Sequence, residues 1–77
     1  MQIQIKFLDG RKEDYNLEPD DSVDKVKAML AEKAGMHKDQ IRLIYQGQPM
    51  LDDKTLNEQN VKAGSVIHMI LQLRGGF

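Results

Sequence analysis

Ser22-Val23-Asp24-Lys25-Val26-Lys27-Ala28-Met29-Leu30-Ala31-Glu32-Lys33-Ala34-Gly35 is the stretch on which the fold turns, because it reads as the one long helix of the chain. Ser22 is suited to cap its first turn through a hydroxyl acceptor, and Gly35 to end it in the left-handed conformation. Val23, Val26 and Leu30 recur at helical spacing, and Ala28, Met29, Ala31 and Ala34 widen the apolar share. A helix with one apolar stripe needs one apolar surface to lie on, and the flanking segments supply it as strands.

Upstream, Met1, Ile3, Ile5 and Phe7 alternate with Gln2, Gln4 and Lys6, the pattern of a strand with one buried face. Asp9-Gly10 is a hairpin turn signal, and the chain returns over about Lys12 to Leu17. Tyr15 and Leu17 can face the core there while Glu13 falls on the same side, which predicts an edge strand. Downstream, Ile41, Leu43 and Tyr45 share one face of a further strand, and Gln46-Gly47-Gln48-Pro49 reads as a turn. Thr55-Leu56-Asn57-Glu58 matches a capping box and predicts a short helical turn near 56–60. After a turn at Lys62-Ala63-Gly64, Ile67, Met69, Leu71 and Leu73 alternate with Val66, His68, Ile70 and Gln72. The order predicts an α+β roll with one main helix across one sheet face. The expected domain is 1–72, followed by a flexible tail at 73–77.

Composition narrows the function classes. Seventy-seven residues make one domain near the lower limit for a core without staples. The absence of cysteine excludes disulfides, thiolate nucleophiles and cysteine-based zinc sites. His37 and His68 lack a metal-ligand spacing, and no nucleophile and base pair or glycine-rich phosphate loop is present, so neither an enzyme nor a cofactor is expected. A net charge of −1 argues against a general nucleic-acid binder. No apolar run is long enough to span a membrane, and Met1-Gln2-Ile3-Gln4 lacks the features of a signal peptide. A monomer inside the cell, in cytoplasm and nucleus, is the expectation. Residues 13 to 24 carry Glu13, Asp14, Glu18, Asp20, Asp21 and Asp24 with no base, which reads as a solvated loop leading into the positive end of the helix.

A single helix leaves the other sheet face to water. Gln2, Gln4, Lys6, Arg42, Ile44, His68 and Ile70 point there by alternation. Ile44 and Ile70 beside Arg42 and His68 have the composition of a docking surface, although periodicity does not separate that from scattered surface aliphatics. His68 alone reads as a surface histidine. The terminal Leu73-Arg74-Gly75-Gly76 is slim enough to enter a narrow enzyme channel and leaves a terminal carbonyl unobstructed for attack, as an acyl donor requires. On two glycines alone, a frayed end or a remnant foreign to the natural chain is the stronger reading.

The chain resembles the ubiquitin family, aligned to ubiquitin without a gap from Met1 to Gly76. The shared stretches include Met1-Gln2-Ile3, Glu18-Pro19, Val26-Lys27-Ala28, Asp39-Gln40, Arg42-Leu43-Ile44, Thr55-Leu56 and Leu73-Arg74-Gly75-Gly76. The resemblance implies a β-grasp fold with a mixed sheet, its first and last strands parallel at the centre. It implies conjugation to lysines through Gly75-Gly76, and a partner-binding patch at Leu8, Ile44, His68 and Ile70. It also implies recognition by an activating enzyme through Arg42, Leu71, Gln72, Leu73 and Arg74. Other implied partners are a conjugating enzyme, a processing or deconjugating protease and a target lysine.

Departures from ubiquitin point to the neddylation-type member of the family. Arg11, Met29, Gln48 and Ala63 stand where ubiquitin has lysines, which leaves Lys6, Lys27 and Lys33 as possible acceptors. Gln72 replaces an arginine of ubiquitin, where the neddylation modifier has a small neutral residue. Tyr45, Met50, Lys54, Gly64 and Val66 also match that relative, whereas Gln2, Ala28, Asp39, Leu56 and Asn60 lean toward ubiquitin. Such modifiers are made with a C-terminal extension that blocks the Gly76 carboxylate. Phe77 is read as that extension, to be removed by processing, or else as a residue foreign to the natural chain. The resemblance implies a tag for cullin-like scaffolds of ubiquitin ligases. A divergent ubiquitin working in degradation and a non-covalent adaptor domain remain as alternatives.

Overall fold

The computed structural model describes residues 1–71. Gln72, Leu73, Arg74, Gly75, Gly76 and Phe77, and with them the tail expected at 73–77, lie outside the described residues. The chain forms β1 (Gln2–Lys6), β2 (Lys12–Asn16), α1 (Val23–Ala34), β3 (Ile41–Tyr45), β4 (Gln48–Pro49) and β5 (Val66–Leu71). Short 3₁₀ turns stand at Lys38–Gln40, which the sequence reading passed over, and at Asn57–Gln59.

The sheet order is β2-β1-β5-β3-β4. β1 runs parallel to β5, and the β1–β2, β3–β5 and β3–β4 pairs are antiparallel. The expected edge strand is β2, and the expected parallel pair is interior. Ile3, Ile5, Leu43 and Ile67 are wholly buried on one face, where Val23, Val26, Leu30 and Ala31 of α1 meet them. The buried side chains are all hydrophobic among the described residues. Those residues also contain no helix long and apolar enough to cross a membrane.

The helix ends are built as the sequence predicts. Ser22 Oγ accepts from the Lys25 N–H at 3.1 Å, and Gly35 adopts φ 71° to close the last turn. Thr55 and Glu58 complete their capping box, with N–H donors to the opposite side chains at 2.9 and 3.0 Å. Asp24 lies in the first turn of α1, while the Asp21 carboxylate accepts from the Glu18 N–H at 3.0 Å and from Lys25 Nζ at 3.1 Å.

Of the alanines that widen the apolar share of α1, Ala28 and Ala34 are exposed and Ala31 is buried. Two expectations are corrected. Gln48 and Pro49 form a strand rather than a turn. Gln46 and Gly47 both take positive φ, 53° and 78°, so the reversal is complete in two residues and Pro49 already pairs with Ile44. Proline is tolerated because β4 is an edge. Leu71 is on the core side, opposite Ile41, yet it is 45% exposed. The covering helix stops at Ala34, and Leu71 instead lines an apolar groove of about 340 Å³ with Phe7, Leu8, Met36 and Met69.

Glu13, the charge that falls on the core side of β2, is satisfied at the sheet edge. Tyr15 Oη donates to Glu13 Oε1 at 2.6 Å, and Lys33 Nζ lies 5.0 Å from the Tyr15 ring centre. Burial, reinforced by the Glu13 carboxylate, pushes the Tyr15 phenol from 10.0 up to about 12. Because the folded value lies above the unfolded one, the stability that neutral Tyr15 contributes is whole below pH 10.0 and is lost as pH rises toward about 12. In a Tyr45→Phe background, which leaves a single phenol, spectrophotometric titration should find Tyr15 ionising near 12, and Glu13→Gln should lower that value. Ionisation at the ordinary value would mean that the Tyr15–Glu13 bond does not persist.

Candidate functional site

β1, β5 and β3 lie side by side, so residues at matched register form rows across the open face. Lys6 is opposite His68, and His68 opposite Ile44, which in turn pairs with Pro49 on β4. The next row holds Ile70 opposite Arg42. Leu8 reaches the same surface from the turn after β1 and is 71% exposed. That turn is held by Phe7 N–H to Arg11 O at 2.8 Å and Gly10 N–H to Phe7 O at 3.0 Å. The Asp9 carboxylate accepts from the Arg11 N–H at 3.0 Å and from Arg11 Nε at 2.9 Å. These contacts, the backbone N–H first, hold the Asp9 carboxyl below its ordinary pKa.

The residues expected to form a patch do come together. Leu8, Ile44, His68 and Ile70 line one shallow groove of about 180 Å³, with Lys6 and Phe7 beside them. Ile44 and Ile70 are half-buried rather than fully turned to water, because neighbouring strands flank each of them. His68 and Arg42 are exposed. The result is a small apolar floor with a basic border, able to accept an apolar side chain whose neighbours are acidic.

The possible acceptor lysines differ in availability. Lys27 Nζ is 2.6 Å from Asp52 Oδ1 and its side chain is only 13% exposed, so its amine is the most occupied of the three. Lys33 lies over the Tyr15 ring. Lys6 is half-buried, flanked by Lys12 on β2 and His68 on β5. Of the residues expected to meet an activating enzyme, Arg42 and Leu71 are described, on adjacent strands and both exposed. No group of three or more His, Cys, Asp or Glu side chains is placed to hold a metal among the described residues.

The parallel β1–β5 pair and the one crossing helix among the described residues correspond to a known fold family. The model of the ubiquitin family matches residues 3–74. The chain belongs to the ubiquitin family. Its roll is therefore a β-grasp, and its patch lies on the open face of that fold. The chain is 41% identical over 76 residues to Ubiquitin-like protein 1 of Schizosaccharomyces pombe, covering 99% of this chain and 97% of that one. It is 40% identical to Ubiquitin-like protein NEDD8 of Dictyostelium discoideum, covering 99% of each. A different arrangement is found in Large proline-rich protein bag6-A of Xenopus laevis, where a match at 37% identity spans 91% of this chain and 6% of that protein.

Neighbouring residues on β3 separate folding from display. Leu43 is wholly buried and Ile44 half-buried on the other face. Leu43→Ala should cost about 3 kcal/mol in denaturant unfolding, as a core cavity does. Ile44→Ala should cost about 1 kcal/mol, nearer the scale of surface sites. Equal losses would mean that Ile44 belongs to the core.

Proposed function

We propose that this chain is a neddylation-type protein modifier, joined through the Gly76 carboxylate to lysines of cullin-like scaffolds once Phe77 has been removed. The observation that carries this reading is Gln72 ahead of Leu73-Arg74-Gly75-Gly76, in a chain that matches a NEDD8 protein over 99% of both lengths. The chain is then acted on by enzymes rather than being one. A protease hydrolyses the Gly76–Phe77 bond and frees the carboxylate. An activating enzyme joins that carboxylate to AMP from ATP, releasing pyrophosphate; its own thiol then displaces AMP to form a thioester, and a thiol of the conjugating enzyme takes over the acyl group. A target lysine displaces the thiol of the conjugating enzyme, and an isopeptide bond results. The groove at Leu8, Ile44, His68 and Ile70 is read by partners of the conjugated form. The modifier works as a monomer in cytoplasm and nucleus, without cofactor, nucleic acid or membrane.

Gln72 is the discriminating residue in this reading. The resemblance implies that a ubiquitin-activating enzyme attracts an arginine at this position with an acidic contact, and that the neddylation-activating enzyme repels it with an arginine of its own. A neutral side chain forgoes the attraction and avoids the repulsion. A second reading, a non-covalent ubiquitin-like module, is favoured by the bag6-A match, in which the similar segment is a small part of a longer protein. That use needs neither the diglycine nor a processed end.

Two measurements test the modifier reading. Incubation of the 77-residue chain with a cell extract should yield, by mass spectrometry, a product ending at Gly76, and only that product should form a thioester. After Phe77 removal, Gln72→Arg should improve charging by the ubiquitin enzyme and impair it with the neddylation enzyme. Each change should be about thirtyfold, the equivalent of about 2 kcal/mol for a desolvated charge contact. Charging that tolerates Phe77 would overturn the processing step. Preference of the unmutated chain for the ubiquitin enzyme, unchanged by Gln72→Arg, would replace the proposal with a divergent ubiquitin.

A further inference from the structure

Leu51 is 56% exposed, and its position in the fold is more orderly than that exposure suggests. β4 ends at Pro49, but Met50 N–H still donates to Leu43 O at 2.9 Å, which carries the ladder with β3 one residue further. Met50 is buried on the core side, so alternation turns Leu51 to the open face, level with Arg42. There the Leu51 backbone is gripped at both polar atoms by one side chain. Its N–H donates to Gln59 Oε1 at 2.8 Å, and its carbonyl accepts from Gln59 Nε2 at 3.1 Å. The Gln59 carboxamide thus stands in for a neighbouring strand, and the leucine is displayed from fixed backbone. Ile70, Arg42 and Leu51 form a row that ends at the sheet edge, above a cleft of about 500 Å³ lined by Lys27, Arg42, Pro49, Leu51, Asp52 and Asp53.

The row is placed beside Leu71, the last described residue. Ile41 and Leu71 are paired, one register step from Arg42 and Ile70. Residue 72 is joined to Leu71, and consecutive Cα atoms are about 3.8 Å apart. A protein that grips the residues following Leu71 therefore works alongside this row. The exposed Arg42 guanidinium between two aliphatic side chains calls for a carboxylate flanked by apolar groups. From this geometry we infer that Leu51 is a specificity-determining contact for the activating enzyme, receiving an apolar side chain of that enzyme while Arg42 holds a neighbouring carboxylate. The inference rests on the modifier reading.

Leu51 is remote from the carboxylate that reacts, so its loss should weaken binding of ground and transition state alike and raise KM without changing kcat. The test is steady-state thioester formation by the neddylation-activating enzyme with chain ending at Gly76, comparing wild type, Leu51→Ser and Val66→Ser. Val66 is a matched control, 37% exposed on the same face but beside Gln4, in a row away from the tail. Leu51→Ser should raise KM on the order of tenfold, the scale of losing one buried apolar anchor, with kcat and melting temperature unchanged. Val66→Ser should match wild type. An unchanged KM for Leu51→Ser, or an equal rise for Val66→Ser, would overturn the inference while leaving the modifier reading intact. Failure of the wild type to be charged by either enzyme would overturn the modifier reading and this contact together.

Discussion

The pairing of β1 with β5 is the constraint on which the rest of the molecule depends. Ile5 faces Ile67 across it, both wholly buried, although they come from opposite ends of the chain. Parallel strands require a long connection, and everything between them is that connection. α1 crosses over one face and covers Ile3, Ile5, Leu43 and Ile67, while β3 adds to the free side of β5. With a single long helix, only one face can be dry. The other is left to display side chains, and its residues are arranged by the same registers that align the core.

Elements with local chemical signals were legible from the sequence. Ser22 and Gly35 bound the helix because capping is decided within a few residues, and Thr55 and Glu58 formed their box for the same reason. Alternation alone placed Ile3, Ile5, Leu43 and Ile67 in the core. What escaped notice depended on geometry between elements. Leu71 continues the inward alternation of β5, but a strand pattern cannot tell where the covering helix runs out. Gln46 gave no sign that it would adopt a positive φ, and β4 therefore read as part of a turn. Which of the helix alanines is buried does not follow from their apolar share, because small apolar side chains are tolerated on a wet face.

The candidate site was legible to a similar depth. Ile44, His68 and Ile70 could be set on one face by counting along their strands, whereas Leu8 came only from the family resemblance, since no periodicity extends into a turn. Differences among the lysines were invisible, because the Lys27–Asp52 pair joins a helix to a distant loop. Leu51 was passed over because its exposure follows from the short turn at Gln46-Gly47 and from the grip of Gln59, neither of which leaves a pattern in sequence. The proposed function rests on the terminal residues and on Gln72, where chemistry and resemblance are read without any fold.

Among the described residues, the last side chain of the buried core is Met69. In the proposed role, a bond made or broken at Gly76 lies seven residues further along the chain. In that role the molecule is reusable: its lifetime is set by the stability of a closed aliphatic interior, and its working cycles by a bond that touches none of the side chains buried there.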